Sequence, residues 1–245
     1  MGIVEVMSLP NLRGSLRQMF EDRLPRILDR PEMMRMLELC SALWAYDPEF
    51  EPRMPHPILR SGAHSDFFVN CMDALKESTV LNALAHQIVI RCSDMVCQMT
   101  EDDWVIGAER AGAPISQEVA RLVGCRHATV EKDSDGNPTV FNRFDITARE
   151  KVLLVNDLLS HPDGSTYMSK VAVQQACPEA EILPAAMHVV NRSNAERLID
   201  DTPVRALLPL SPREYPADNC PLCQEGSEAL KFKANKALFY AYLRS

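Results

Sequence analysis

The 245-residue sequence lacks any apolar run approaching the ~18 residues of a membrane-spanning helix, so no membrane association is expected. Its opening stretch, MGIVEVMSLPNLRGSLRQMF, has no extended apolar core and no small-residue cleavage pattern. No export signal is therefore expected. Excess positive charge is also missing: Lys and Arg number 26 against 34 Asp and Glu, a formal net charge of −8. That balance argues against a protein that coats nucleic acid. It leaves room for an anionic small molecule, because a pocket can be locally basic in an acidic protein. Internal repeats and low-complexity tracts are absent. The eight cysteines are scattered along the chain. Without an export signal they are expected as reduced thiols of a cytoplasmic protein, not as a disulfide framework.

What is present is a globular composition, 46% hydrophobic and 24% charged, in a length sufficient for one large domain or a domain with an appendage. Residues 12–46 carry Leu, Met, Arg and Glu at helical spacing, broken by Pro25 and Pro31. Four prolines in residues 47–57 exclude a regular element there. Short extended pieces are expected at 57–60 and 67–71. Leu81, Leu84, Ala85, Ile88, Cys92, Met95, Val96 and Met99 fall on one face of a single long helix over 80–99. Strands at 104–107, 127–132, 151–155, 184–190 and 204–210 then alternate with helices over 113–124 and 165–177, and a final helix is expected over 228–243. The order predicts an α/β fold: a central, mostly parallel sheet flanked by helices, with an N-terminal hood and a C-terminal helical tail. The corresponding divisions are 1–75, 76–210 and 211–245.

Three segments carry candidate chemistry. In VLLVNDLLSHPDGST, an apolar strand ends at Asn156 and Asp157 and passes through Ser160, His161 and Asp163 to Gly164, Ser165 and Thr166, where a helix begins. Ligands of open α/β sheets bind at the carboxyl ends of strands, and a helix N-terminus offers free N–H groups to phosphate. Asp157 would repel a phosphate and is better suited to accept hydrogen bonds from sugar hydroxyls. In VIGAERAGAPISQEVA, Gly107 and Gly112 allow close backbone approach before another helix start, and Arg110 adds a cation for a second phosphate. In ILRSGAHSDFFVN, Arg60, Ser61, Phe67 and Phe68 combine a guanidinium with aromatic faces, a set suited to a flat anionic heterocycle. Each segment also has a plain structural reading: a capped turn, a tight packed turn, or a surface hairpin with core phenylalanines.

Taken in order, these segments resemble the type I phosphoribosyltransferases, specifically the orotate phosphoribosyltransferases. Val152–Val155, Asn156, Asp157, Leu158, Leu159 and the loop 160–166 match the family's sugar-phosphate donor motif. Gly107, Gly112 and Pro114 match its pyrophosphate loop. Arg60, Ser61, Gly62, Ser65, Phe67 and Phe68 match its early base-side segment, and Arg192 stands where the family holds the orotate carboxylate. The resemblance covers roughly residues 35–200. It implies binding of phosphoribosyl pyrophosphate with Mg2+, transfer to orotate or a related base, and a homodimer. Asp157 and Lys132 would be the catalytic groups, with Lys132 in the mobile loop. Asn156, Ser160, His161, Asp163, Gly164, Ser165, Thr166, Gly107, Arg110 and Gly112 would hold the donor.

Departures from the pattern keep a second reading open. Asn156 replaces the first acid of the donor pair, Pro162 sits in a longer loop, and the mobile loop retains only Lys132 and Arg143 as cations. Loss of one contact to a developing charge costs about a hundredfold, so a catalytically weak or inactive nucleotide- or phosphoribosyl-binding regulator is the alternative. A structural protein without a ligand is a third. Outside this set, Cys220 and Cys223 in CPLC supply half of a tetrahedral Zn2+ site. Cys92 with Cys97, His188 with a distant ligand, or a second copy could complete it; otherwise the pair is packed loop cysteine. His64, His86, His127 and His161 show no ligand spacing with one another.

Overall fold

The computed structural model describes residues 27–49, 54–132, 135–140 and 145–242. The part of the expected N-terminal helical stretch before residue 27 lies outside these. Contacts divide the chain into two compact units. Among the described residues one unit comprises those of 31–74 and 212–242, and the other those of 27–30 and 75–211.

From Pro31 the first unit contains the rest of the helix Arg30–Leu39, whose first turn accepts Pro31 because its φ is fixed in the helical range, and which buries Met33, Met36 and Leu37. Strands β1 (Leu43–Ala45), β2 (His56–Ile58), β3 (His64–Ser65) and β4 (Phe67–Val69) follow. β1 pairs antiparallel with β4.

The second unit contains β5 (Trp104–Ala108), β6 (Arg126–Lys132), β7 (Pro138–Val140), β8 (Lys151–Leu159), β9 (Glu181–Ile182), β10 (Ala186–Asn191) and β11 (Val204–Pro209). They form one sheet in the order β11-β10-β8-β5-β6-β7, with β9 beside β8. Pairing is parallel except for the β6–β7 hairpin. The expected α/β sheet is therefore observed. Val152 and Leu154 of β8 join Trp104, Ile106, Ala172 and Val173 in one core cluster. By the alternation of a strand, the fully buried Leu153 and Val155 face the other side, where the helix Gly112–Val123 packs on β5 and β8. Strands covered on both faces read as continuous apolar runs, which is why VLLV does not alternate.

Helix ends follow local chemistry. Gly124 takes the left-handed conformation (φ 82°) that closes the helix Gly112–Val123. The helix Ser165–Ala176 stops because Cys177 precedes Pro178 and is extended (φ −149°, ψ 99°). The single helix expected over 80–99 is instead Ser78–Arg91 and a short Ser93–Val96, broken at Cys92 (φ −119°). Its apolar face continues across the break, which periodicity alone does not register.

The last segment belongs to the first unit. Strands β12 (Glu214–Tyr215) and β13 (Ala229–Lys231) complete a four-stranded sheet, β12-β3-β2-β13. The expected helix over 228–243 is thus corrected: β13 pairs with β2, a 3-10 turn covers Phe232–Ala234, and only Lys236–Tyr242 is helical. Phe232 and Phe239 pack with Trp44 and Met54, and the Trp44 and Phe239 rings meet edge-on at 5.0 Å. That tertiary burial overrides the helical spacing of the tail.

Candidate active site

Two strand-to-helix turns of the second unit meet at the carboxyl ends of β5 and β8. β5 ends in a turn where Arg110 adopts a left-handed backbone (φ 66°), a conformation that costs a non-glycine residue about 1–3 kcal/mol and collects at functional turns. Glycine is required at both matched positions here. A Cβ on Gly107 would lie 2.6 Å from the Gly112 carbonyl and 2.7 Å from Ser116 Cβ, and one on Gly112 would overlap Asn156 Oδ1. Ser116 fixes the helix start: its hydroxyl donates to the Ala113 carbonyl at 3.0 Å and bonds His127 Nε2 at 2.8 Å.

β8 runs on through Asn156 and Asp157 to Leu159, longer than the strand expected to end at 155. The Asn156 side chain is buried (3% exposed). Its amide donates to Ser165 Oγ at 2.8 Å and to Thr166 Oγ1 at 3.1 Å, and its Oδ1 accepts from the Asp157 N–H at 3.0 Å. Thr166 Oγ1 also bonds His188 Nε2 at 2.8 Å, and the β8–β10 register sets His188 beside Asn156. Burial pushes the His188 imidazole down to about 4, so it stays neutral. Gly164 precedes the helix Ser165–Ala176; the first N–H groups of a helix have no intrahelical acceptors, and here no side chain caps them. The Gly164 N–H itself donates to the His161 carbonyl at 3.0 Å, closing the loop tightly.

A cleft of about 330 Å³ opens in front of this helix start, lined among others by Glu109, Glu131, Lys132, Asp163, Gly164 and Ser165. Lys132 is the exposed last residue of β6. Arg192 follows β10 and is half-buried; its N–H donates to the Leu159 carbonyl at 2.9 Å and its Nε to Ser160 Oγ at 3.2 Å. Asp157 is partly buried. Desolvation raises its carboxyl to about 6, against the opposing pull of the Asp157 and Leu158 N–H groups.

No protein-family model matches the chain. Curated relatives do. The orotate phosphoribosyltransferase of Desulforamulus reducens is 30% identical over 176 residues, spanning 72% of this chain and 86% of the relative. The chain belongs to the orotate phosphoribosyltransferase family. An orotate phosphoribosyltransferase of Thermus thermophilus is 29% identical over 174 residues, covering 70% of this chain and 88% of that one. Solved structures agree on the fold. Orotate phosphoribosyltransferase from Aeropyrum pernix superposes with a TM-score of 0.53 at 15% identity, over 72% of this chain and 93% of its own. The Mycobacterium tuberculosis enzyme, solved with inorganic phosphate, gives 0.53 at 16% identity, over 74% and 96%.

Within this orotate phosphoribosyltransferase-family chain, the structure brings together Gly107, Gly112, Asn156, Ser165 and Thr166, and separately Ser160 with Arg192. It places Lys132, Asp163, Gly164 and Ser165 on one cleft. Asn156 and Thr166 are buried, and they bond to each other, to Ser165 and to His188. His161 contributes its backbone carbonyl to the turn while its side chain is exposed. Glu109 and Glu131 of the cleft escape a reading of the sequence, although their positions at the ends of β5 and β6 are where such sheets bind ligands. The anchoring roles of His127 and His188 escape it too, since a histidine that holds one hydroxyl has no sequence signature.

In the first unit, Arg60 and Ser61 are exposed and Phe67 is half-buried. Phe68, expected to offer a face to a base, has one face stacked on Phe232 with centroids 3.9 Å apart, in line with the core reading of that segment. The completions considered for the CPLC pair are also corrected. Cys92, Cys97 and His188 lie in the other unit, whereas Cys220 and Cys223 stand beside His56 and His64.

Two results are expected from this geometry. Gly112→Ala would displace the Asn156 side chain and with it the helix start; affinity for ribose 5-phosphate, read by titration calorimetry, should fall about tenfold or more, each tenfold being about 1.4 kcal/mol. Unchanged affinity would show that the two turns are not coupled. Asp157 is an acid whose native value is raised above its unfolded one of ~3.9, so its favourable contribution is complete below about pH 4 and is lost as pH rises through about 6. In urea unfolding, wild type should therefore lose about 2–3 kcal/mol relative to Asp157→Asn between about pH 4 and pH 7. A pH-independent difference would contradict the raised carboxyl.

Proposed function

We propose that this chain transfers the phosphoribosyl group of phosphoribosyl pyrophosphate to orotate. The bond between ribose C1 and the pyrophosphate oxygen breaks, a bond from C1 to a ring nitrogen of the base forms, and the proton of that nitrogen leaves to solvent. The observation that carries the reading is the uncapped helix start at Gly164 and Ser165, set on a buried strand that delivers Asp157, in a chain of this family. The 5-phosphate takes the free N–H groups of that helix start and the Ser165 hydroxyl. Asp157, as carboxylate, accepts from the ribose hydroxyls. The pyrophosphate lies against the Gly107–Gly112 turn, where Arg110 supplies a cation, and Lys132 adds another across the cleft. Arg192, held by Ser160, takes the orotate carboxylate.

Mg2+ belongs to the same proposal. Among the described residues the carboxylates of Glu109, Glu131 and Asp163 do not converge into a three-ligand cluster. That arrangement fits an ion held mainly by the donor's own phosphate and hydroxyl oxygens, as is common for Mg2+. When bound, the ion neutralises charge on the leaving pyrophosphate. The proposal further takes the protein as a cytoplasmic homodimer. Among the described residues no helix is long and apolar enough to cross a membrane.

The alternative, a phosphoribosyl-binding regulator without turnover, draws its motive from Asn156 in place of an acid. The inward hydrogen bonds of Asn156 weaken that motive, because its side chain is a tie between turns and not a vacated ribose contact. Mixing the protein with phosphoribosyl pyrophosphate, Mg2+ and orotate should consume orotate, followed by its ultraviolet absorbance. Arg192→Ala should raise KM for orotate about tenfold or more while leaving KM for the donor within about threefold, as expected for loss of a charge-assisted bond of roughly 1.5–3 kcal/mol. Donor binding without any loss of orotate would sink the transferase reading in favour of the regulator.

A further inference from the structure

The first unit holds a side-chain cluster that the transferase reading does not use. His56 of β2, His64 of β3, Cys220 and Cys223 each present one donor atom, and all four atoms lie within 4.8 Å of one another. We propose that these four residues form a structural Zn2+ centre that fastens the C-terminal segment to the β2–β3 sheet.

The distances are those of a metal cage. Bonds of ~2.0–2.1 Å to nitrogen and ~2.3 Å to sulfur in a tetrahedron place ligand atoms ~3.3 Å apart for two nitrogens and ~3.6 Å for nitrogen and sulfur. Here His56 Nε2 and His64 Nδ1 are 3.1 Å apart. Cys220 Sγ and Cys223 Sγ lie 3.6 and 3.5 Å from His56 Nε2, and Cys223 Sγ lies 3.4 Å from His64 Nδ1. Surrounding hydrogen bonds also choose a ligating tautomer. Ser227 donates its hydroxyl proton to the Met54 carbonyl at 2.6 Å, so at 2.8 Å from His56 Nδ1 it must accept. The proton of His56 is thereby held on Nδ1, and the Nε2 lone pair is aimed into the cluster. A second-sphere acceptor of this kind is the usual partner of a metal-bound histidine.

The donor set selects the ion. Two imidazoles and two thiolates in tetrahedral array suit Zn2+. On binding, Cys220 and Cys223 each release one proton to solvent, and two thiolates against a divalent cation leave the centre neutral. His56, His64 and Cys220 are buried (0, 7 and 2% exposed). Four protein ligands leave no open position, which marks a structural centre and not a catalytic one. Its ligands come from distant segments of the sequence, His56 and Cys220 being 164 positions apart. The ion therefore closes a long chain loop, and the two cysteines require a reducing environment. The inference does not rest on the transferase reading.

The test is metal analysis of untagged protein, purified under reductant and dialysed against excess Zn2+ and then against metal-free buffer. Wild type and Cys97→Ser, an exposed thiol outside the cluster, should each retain about one zinc per chain. The double variant Cys220→Ser/Cys223→Ser should retain less than about a tenth of that. Because the double variant can fail to fold, Co2+ exchanged into wild type gives an independent readout: intense tetrahedral d–d bands with thiolate charge-transfer absorption. No retained metal, a retained metal other than zinc, equal zinc in wild type and double variant, or the weak spectrum of octahedral Co2+ would overturn the proposal and leave a hydrogen-bonded cluster.

Discussion

The side chain of Asn156 holds the candidate active site in one arrangement. Its amide reaches the hydroxyls of Ser165 and Thr166, and its oxygen sits where only a glycine at 112 leaves room. One buried residue thus couples the turn after β5 to the turn after β8. A buried polar group of this kind is costly unless every bond is made, and here the bonds run on through Thr166 to His188. The N–H groups of the helix start after Gly164, Asp157 and the Gly107–Gly112 turn inherit their positions from it.

Much of this is legible in the sequence. The continuous apolar run before Asn156 announces a strand buried on both faces, and Gly164, Ser165 and Thr166 announce the next helix start. The division of labour is not legible. Of the polar residues in the loop, Ser165 lines the cleft while Asn156 and Thr166 turn inward, and side-chain direction depends on a partner, His188, that sequence places 22 positions from Thr166. The tail departs from its sequence pattern for a related reason. Helical spacing in residues 228–243 competes with strand pairing to β2 and with the burial of Phe232 and Phe239, and tertiary burial outweighs propensity.

The CPLC pair shows the same limit from the other side. Two cysteines at that spacing are recognisable, but their companions are not. His56 lies within a proline-rich segment that reads as irregular, and His64 shows no spacing with the other histidines. Only the pairing of β2 with β3 and β13, and of β3 with β12, brings these distant stretches of the chain together. The two units so divide their chemistry: a polar cluster with metal-ligand geometry in one, and a candidate sugar-phosphate cleft built on a parallel sheet in the other.

The central claim is that the helix start at Gly164 and Ser165 receives the 5-phosphate. Amide chemical shifts followed by NMR during titration with ribose 5-phosphate test it directly. The account predicts the largest shifts at the amides of residues 165–167, with saturation abolished in Asn156→Ala. Saturable shifts confined to other residues, or none at all, would contradict it.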